Sequence, residues 1–162
     1  MKLAKVFKEN KQFTLFSILA LVVVGVAVFA PQIAPYDPLD AVMLESLQAP
    51  SSAHPFGTDK LGRDLLSRVI FGTRTSLVMT LCLVAVIFVI GTFLGVIAGY
   101  FGGIVDGVIM RIADMMISFP GLVLAIAIAG MLGPNLVNAV ISIAAVSWTK
   151  YARLARSMVL RV

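Results

Sequence analysis

The sequence predicts an all-α polytopic membrane protein with about four transmembrane helices, on three observations. Val, Ile, Leu and Phe fill residues 13–30, 76–98 and 115–132 with almost no charge. A helix of about 18 residues, rising about 1.5 Å per residue, covers most of a hydrocarbon core about 30 Å thick. The 162 residues are 60% apolar and only 13% charged, against about 45–50% apolar in soluble domains, so too few polar residues remain to clothe a soluble exterior. Finally, Lys and Arg collect beside the apolar runs, so the net charge of +5 reads as membrane topology rather than nucleic-acid binding. The one cysteine, Cys82, lies inside an apolar run. It builds no disulfide framework and reads as a small buried hydrophobe.

Residues 2–12 are basic, and Leu3, Val6 and Phe7 supply the apolar side of a short in-plane helix. The first span runs from Phe13 to Phe29 and is ended by Pro31 and Pro35. Its apolar run is longer than the about 7–15 residues of a signal peptide, and Pro31 stands where cleavage would occur, so it reads as an uncleaved anchor. The loop 31–75 holds five of the seven prolines, which makes its first half extended. In its second half Thr58 and Asp59 are placed to cap a short amphipathic helix carrying Leu61, Leu65 and Val69, with Asp64 and Arg68 as an i,i+4 pair.

The second span is Ser76–Ala98, with Gly91, Gly95 and Gly99 on one face. Lipid tails give helices no hydrophobic reason to associate, so close contact across small residues must do it. Gly99 to Gly103 then breaks the helix. The third span, Asp114 to Leu132, carries Pro120 in its first turns, where a proline costs least or makes a kink, and a second small-residue ladder of Gly121, Ala125, Ala129 and Gly133. After the turn Gly133-Pro134-Asn135, a fourth run from Leu136 to Trp148 reaches spanning length if it extends through Tyr151, Leu154 and Ala155, with Lys150 and Arg153 snorkelling or facing protein. Trp148 and Tyr151 suit an interface. With the N-terminus inside, nine basic residues fall inside and four outside (Lys60, Arg63, Arg68 and Arg74), which favours both ends in the cytoplasm. The chain divides into 1–56, with the tail, first span and start of the external loop; 57–75, the amphipathic external segment; and 76–162, the transmembrane domain.

Little in the sequence carries chemistry. Gly57 and Gly62 have the spacing of a phosphate-binding loop, but Arg63 and Asp64 stand where that loop needs Lys and then Ser or Thr. His54, the only histidine, has no second soft ligand beside it and reads as a solvated loop residue. Arg111 and Asp114 are i,i+3 partners, and with Asp106 they read as surface ion pairing or as a docking point for a cytoplasmic partner. The methionines read as packing. No metal, cofactor or catalytic set is expected.

Four motifs come in one order: Gly57-Thr58-Asp59-x-Leu61-Gly62-Arg63-Asp64-x-x-Ser67-Arg68; Gly72-x-Arg74-x-Ser76-Leu77; Ala98-Gly99-Tyr100-x-Gly102-Gly103-x-x-Asp106-x-x-Met110-Arg111-x-x-Asp114; and Trp148-x-x-Tyr151-Ala152-Arg153-Leu154-x-Arg156-Ser157. Together they resemble the second permease subunit of bacterial ABC importers of the dipeptide, oligopeptide and nickel branch, over nearly the whole chain. The resemblance implies the type I importer transmembrane fold, of which this chain is the N-terminal part, in the bacterial plasma or inner membrane. It implies a homologous second permease, cytoplasmic ATPase subunits that hold the ATP, an external solute-binding protein and a lipid bilayer as partners, and no nucleic acid. In that family the segment resembling Tyr151–Leu160 leads into a Glu-Ala-Ala…Gly coupling loop, which here would fall beyond Val162. The chain is therefore expected to be incomplete, with Tyr151, Arg153 and Arg156 near the ATPase coupling point. Peptide and nickel or metal-chelate cargoes stay equally open. Two other classes fit parts of the pattern: a non-transporting membrane scaffold or permease remnant, which small-residue faces would serve equally well, and a secondary transporter, which would want intramembrane charges or interrupted helices near the midplane.

Overall fold

The computed structural model describes residues 10–161; the expected in-plane helix around Leu3, Val6 and Phe7 lies outside them. Among the described residues every regular element is helical, and the one β feature is an isolated bridge between Thr58 and Asp64. The chain forms two compact units, Met1–Val78 and Met79–Val162.

The first unit opens with α1, Lys11–Val28. Beyond Ser17 its side chains are apolar all round, and only Ala27 is buried, as expected of a helix whose solvent is lipid. The Phe29 N–H closes it on the Gly25 carbonyl at 2.9 Å. Pro31 then sits in the first turn of a four-residue helix, α2 (Ala30–Ile33), where its missing N–H costs nothing.

Residues 34–64 fold into a hydrogen-bonded knot rather than a helix. The Leu47 N–H donates to the Asp59 carbonyl at 3.0 Å, and the Thr58 N–H to the Gln48 carbonyl at 3.1 Å. The Thr58 hydroxyl accepts from the Gln48 N–H at 2.9 Å and donates to the Glu45 carbonyl. Two glycines make the knot possible. Gly57 has φ +74° and Gly62 φ +75°, and a Cβ on Gly62 would stand 2.6 Å from the Val42 carbonyl carbon. No other residue tolerates both that backbone and that approach.

The knot corrects the expectation of a short amphipathic helix. Leu61 lies in the turn, and Leu65 and Val69 belong to the first turns of α3, one unbroken helix over Leu65–Phe101. The span is therefore longer than Ser76–Ala98 at both ends. Thr58 and Asp59 do not cap it. Asp64 does: its carboxylate accepts from the Ser67 N–H and hydroxyl, each at 2.7 Å. The expected Asp64–Arg68 pair is also replaced, since Arg68 bonds Asp59.

The second unit contains the rest of α3, then α4 (Gly103–Ser118), α5 (Gly121–Leu132) and α6 (Leu136–Val159). The break at Gly102 and Gly103 occurs where the sequence placed it. The expected third span is instead two helices, bent by 92° at Phe119 and Pro120. Pro120 stands between them because its ring fixes φ and removes the donor that an unbroken helix would need, while Phe119 before it is held extended. The α5–α6 turn is closed by Asn138, whose amide donates to the Leu132 carbonyl at 2.7 Å, and Asn135 caps α6 by accepting from the Val137 N–H at 2.9 Å. Two helices, α1 and α3, are long and apolar enough to cross a membrane, and α4 with α5 add a third span if the bent pair is one. α6 has the length but also carries Lys150, Arg153 and Arg156. Cys82 faces outward from α3 instead of being buried.

Gly62→Ala should destabilise the first unit by at least ~2 kcal/mol, since the left-handed backbone alone costs about 1–2 kcal/mol before the collision with Val42. Gly72→Ala, in helix with nothing within 4 Å of its Cβ position, should be neutral or stabilising by about 0.5–1 kcal/mol. Thermal melts of both variants in detergent check the contrast; equal melting would refute the strain argument.

Candidate functional site: a glycine seam and its ion pairs

Within the second unit α3 and α6 meet along a glycine seam. A Cβ on Gly91 would stand 2.6 Å from the Tyr151 Cβ and 2.7 Å from the Trp148 carbonyl oxygen. On Gly95 it would meet the Ala155 Cβ at 2.8 Å and overlap the Ala152 carbonyl. On Gly99 it would stand 2.8 Å from the Val159 Cβ. Contacts this short leave no room for any side chain, so the two backbones touch. Partner numbers rise together along both helices, so α3 and α6 run parallel here, as a single broken span of α4 and α5 between them requires. Ala98 and Ala152 are fully buried beside the seam, and the Phe88 ring meets Tyr151 edge-on at 6.2 Å.

Two ion pairs tie α4 to the same helix. Arg156 grips Asp106 with two parallel N–H donors, and Arg153 bonds Asp114. The planar guanidinium fork suits such a two-point grip in a way a lysine would not. These pairs replace the expected Arg111–Asp114 pairing. They also place Arg153 and Arg156, expected near a coupling point, in bonds within the chain. Sequence spacing alone does not reveal partners 50 residues apart.

The second small-residue ladder is only partly occupied. Ala125 is buried and Ala129 half-buried, while Gly121 approaches only Val146 and Gly133 faces open space. Beside it the bend at Pro120 opens a largely apolar groove of about 310 Å³, lined by Phe119, Gly121, Ala125, Val146, Ser147 and Lys150 among others.

The motif residues of the first unit form a separate polar cluster. Asp59 accepts from the Leu61 N–H at 2.8 Å and from the Arg63 N–H at 3.1 Å, and it pairs with the Arg63 and Arg68 guanidinium groups. Burial works against its charge, but the Arg63 bonds outweigh it and hold the carboxyl well below its usual range. Burial likewise opposes charge on Asp64, and the Ser67 bonds and His54 win, so its pKa is lowered. His54 is not solvated, as its sequence context suggested, but 6% exposed and bonded to Asp64 at 3.0 Å.

Residues 91–162 match the family described as binding-protein-dependent transport system inner membrane component, and residues 2–50 match the N-terminal TM domain of oligopeptide transport permease C. The chain belongs to this binding-protein-dependent permease family. It is 41% identical over 161 residues to a probable D,D-dipeptide transport system permease protein of Escherichia coli (strain K12), covering 99% of this chain and 54% of the relative. A dipeptide transport system permease protein of Haemophilus influenzae is 40% identical, over 93% of this chain and 53% of the relative. A nickel transport system permease protein of Escherichia coli (strain K12) is 40% identical, over 78% of this chain and 46% of the relative. The chain thus spans about half the length of the curated relatives it matches. The fold is that of the importer permeases, and the seam, both ion pairs and the bend at Pro120 all fall inside the permease segment 91–162.

In this permease chain Gly95→Leu should cost about 1–3 kcal/mol or more, the usual cost of overpacking, because its neighbour is backbone that cannot step aside. Loss of the folded monomer peak in size-exclusion chromatography checks it; a normal peak and melting point would remove the seam's packing role. Asp106→Arg should lower the melting temperature, and the exchange Asp106→Arg with Arg156→Asp should restore part of it. No recovery in the double variant would mean the pair is not what joins α4 to α6.

Proposed function

We propose that the chain is the membrane-embedded part of a permease subunit in an ATP-driven, binding-protein-dependent importer for peptides or nickel and metal chelates. The observation that carries the reading is the seam: α6 lies backbone to backbone on α3 and is tied by Arg153 and Arg156 to α4. A push on the C-terminal end of α6 would move three helices together. The relatives' names support transport over a scaffold role. They do not separate the cargoes, since the dipeptide and nickel relatives are 40% identical alike.

In this reading the chain binds no cofactor, has no catalytic role and leaves ATP to separate ATPase subunits. Those subunits, a homologous second permease, an external solute-binding protein and the bilayer are its partners. The N-terminus lies in the cytoplasm, so the 34–64 knot faces outward and the last turns of α6 face the ATPases. Tyr151, against Phe88, would then carry motion into the middle of α3.

Two measurements test this. With Cys82 replaced by Ser, a membrane-impermeant thiol reagent should label Ser52→Cys in intact cells and Ser157→Cys only after permeabilisation; the reverse pattern would invert the topology. Cells carrying the full permease with Gly95→Leu should lose uptake of both peptide and nickel that the unaltered gene supports. If deleting the gene changes neither uptake, the scaffold reading takes over.

A further inference from the structure

The first unit holds a buried imidazole that transport through the second unit does not use. His54 is the chain's only histidine. Its Nδ1 stands 3.0 Å from an Asp64 carboxylate oxygen and its Nε2 3.3 Å from a Glu45 carboxylate oxygen. The Tyr36 ring covers it at 4.9 Å. A neutral imidazole has one N–H and one lone pair, and an ionised carboxylate only accepts. Both contacts are therefore hydrogen bonds only when the ring is protonated; the neutral ring turns a lone pair toward one carboxylate.

The surroundings reinforce the demand for a proton. Asp37, Asp40, Glu45, His54 and Asp64 share the wall of one small cavity of about 140 Å³ with Tyr36. The two arginines of this cluster, Arg63 and Arg68, are paired with Asp59. Apart from His54, the titratable groups on the wall of that cavity are four acids and Tyr36.

The two carboxylates are not equivalent. Asp64 is 1% exposed, and it also holds the N-terminal turn of α3 through Ser67, whose hydroxyl accepts from the Tyr36 N–H at 3.1 Å. Glu45 is 42% exposed, sits in the short turn Met43–Glu45, and can turn to water. With a single N–H left, the ring keeps the partner that has no alternative.

We propose that His54 is a proton-operated clamp: charged, it fastens the Met43–Glu45 turn to the Asp64 cap of α3, and neutral, it keeps Asp64 and releases Glu45. The hydrogen bond to Asp64 first, and Glu45 second, raise the His54 pKa against the opposing effect of burial. A raised histidine pKa means that the attachment is complete below the unfolded value of about 6.5 and is lost as pH rises through the higher folded value. On the acid side, Asp64, with its lowered pKa, keeps the bond until pH falls below the ordinary carboxylate range. The clamp rests on the geometry of the first unit alone, whatever the cargo.

Because the chain has one histidine, its ring can be followed without assignment ambiguity. The full chain, labelled with ¹⁵N-histidine and reconstituted in phospholipid nanodiscs, should show both ring nitrogens protonated at pH 6 and a titration midpoint above 6.5. Amide hydrogen exchange in residues 43–48, corrected for its intrinsic pH dependence, should quicken through the same midpoint, while exchange at 65–68 stays slow. Glu45→Gln should bring the midpoint down and make exchange at 43–48 fast at every pH. A midpoint at or below 6.5, exchange at 43–48 that ignores the His54 titration, or a Glu45→Gln variant indistinguishable from the unaltered chain would each overturn the clamp. His54→Gln adds a further check if it folds, and should abolish the pH dependence of exchange.

Discussion

The fold of the second unit depends on two backbones being allowed to touch. Lipid tails are as apolar as leucine, so burying leucine between helices gains nothing there, and association falls to dispersion contacts and hydrogen bonds at short range. Dispersion weakens steeply with distance, which is why side-chain volume at three positions matters more than the many apolar residues around them. Gly91, Gly95 and Gly99 supply the missing volume, and Ala152 and Ala155 complete it from α6. The direction of α6, the parallel course of α3 and the reach of Arg153 and Arg156 to α4 all follow from that contact.

Polar chemistry is divided between the two units by the same solvent logic. In the second unit both acids are paired, Asp106 with Arg156 and Asp114 with Arg153, and buried hydroxyls bond their own helix, as Ser142 does with the Asn138 carbonyl at 2.6 Å. That is the economy expected where unpaired polar groups are costly. In the first unit the knot uses backbone, hydroxyl, carboxylate, guanidinium and imidazole groups in one connected network from Tyr36 to Arg68. Such a network fixes a single arrangement only when all members are satisfied, and no buried side-chain nitrogen or oxygen among the described residues lacks a partner.

The features legible in the sequence were those with a short period or a steric imperative. Long apolar runs announced membrane helices, glycines every fourth residue announced a close helix contact, and Gly102-Gly103 announced a break. Pro120 was visible too, and a kink was one of its two readings; what differs is the helix start, which lies at Gly103 rather than near Asp114, so that the proline falls at a break between two helices. What stayed hidden was long-range. Asp106 finds Arg156 only once α4 and α6 are in place, and nearer candidates such as Arg111 with Asp114 competed for the same residues on paper. A single histidine carries no local sign of burial, so His54 looked solvated. The run from Thr58 to Val69 satisfied helical periodicity, but the two left-handed glycines pulled its first half into a knot. Membership of the permease family was legible from motif order, because four spaced motifs in one sequence constrain far more than any one of them.

The right-angle bend at Pro120 has an electrical consequence. Each helix end concentrates about half an elementary charge, negative at the carbonyl end and positive at the amide end. An unbroken span keeps both at the membrane surfaces, but here the carbonyl end of α4 and the amide end of α5 come together at the groove lined by Phe119, Gly121 and Lys150. Backbone dipoles turned loose in this way cannot be left against hydrocarbon; they persist only where protein or water covers them. The bent pair therefore holds two facing helix ends between its halves, which the unbroken helices α1 and α3 do not have.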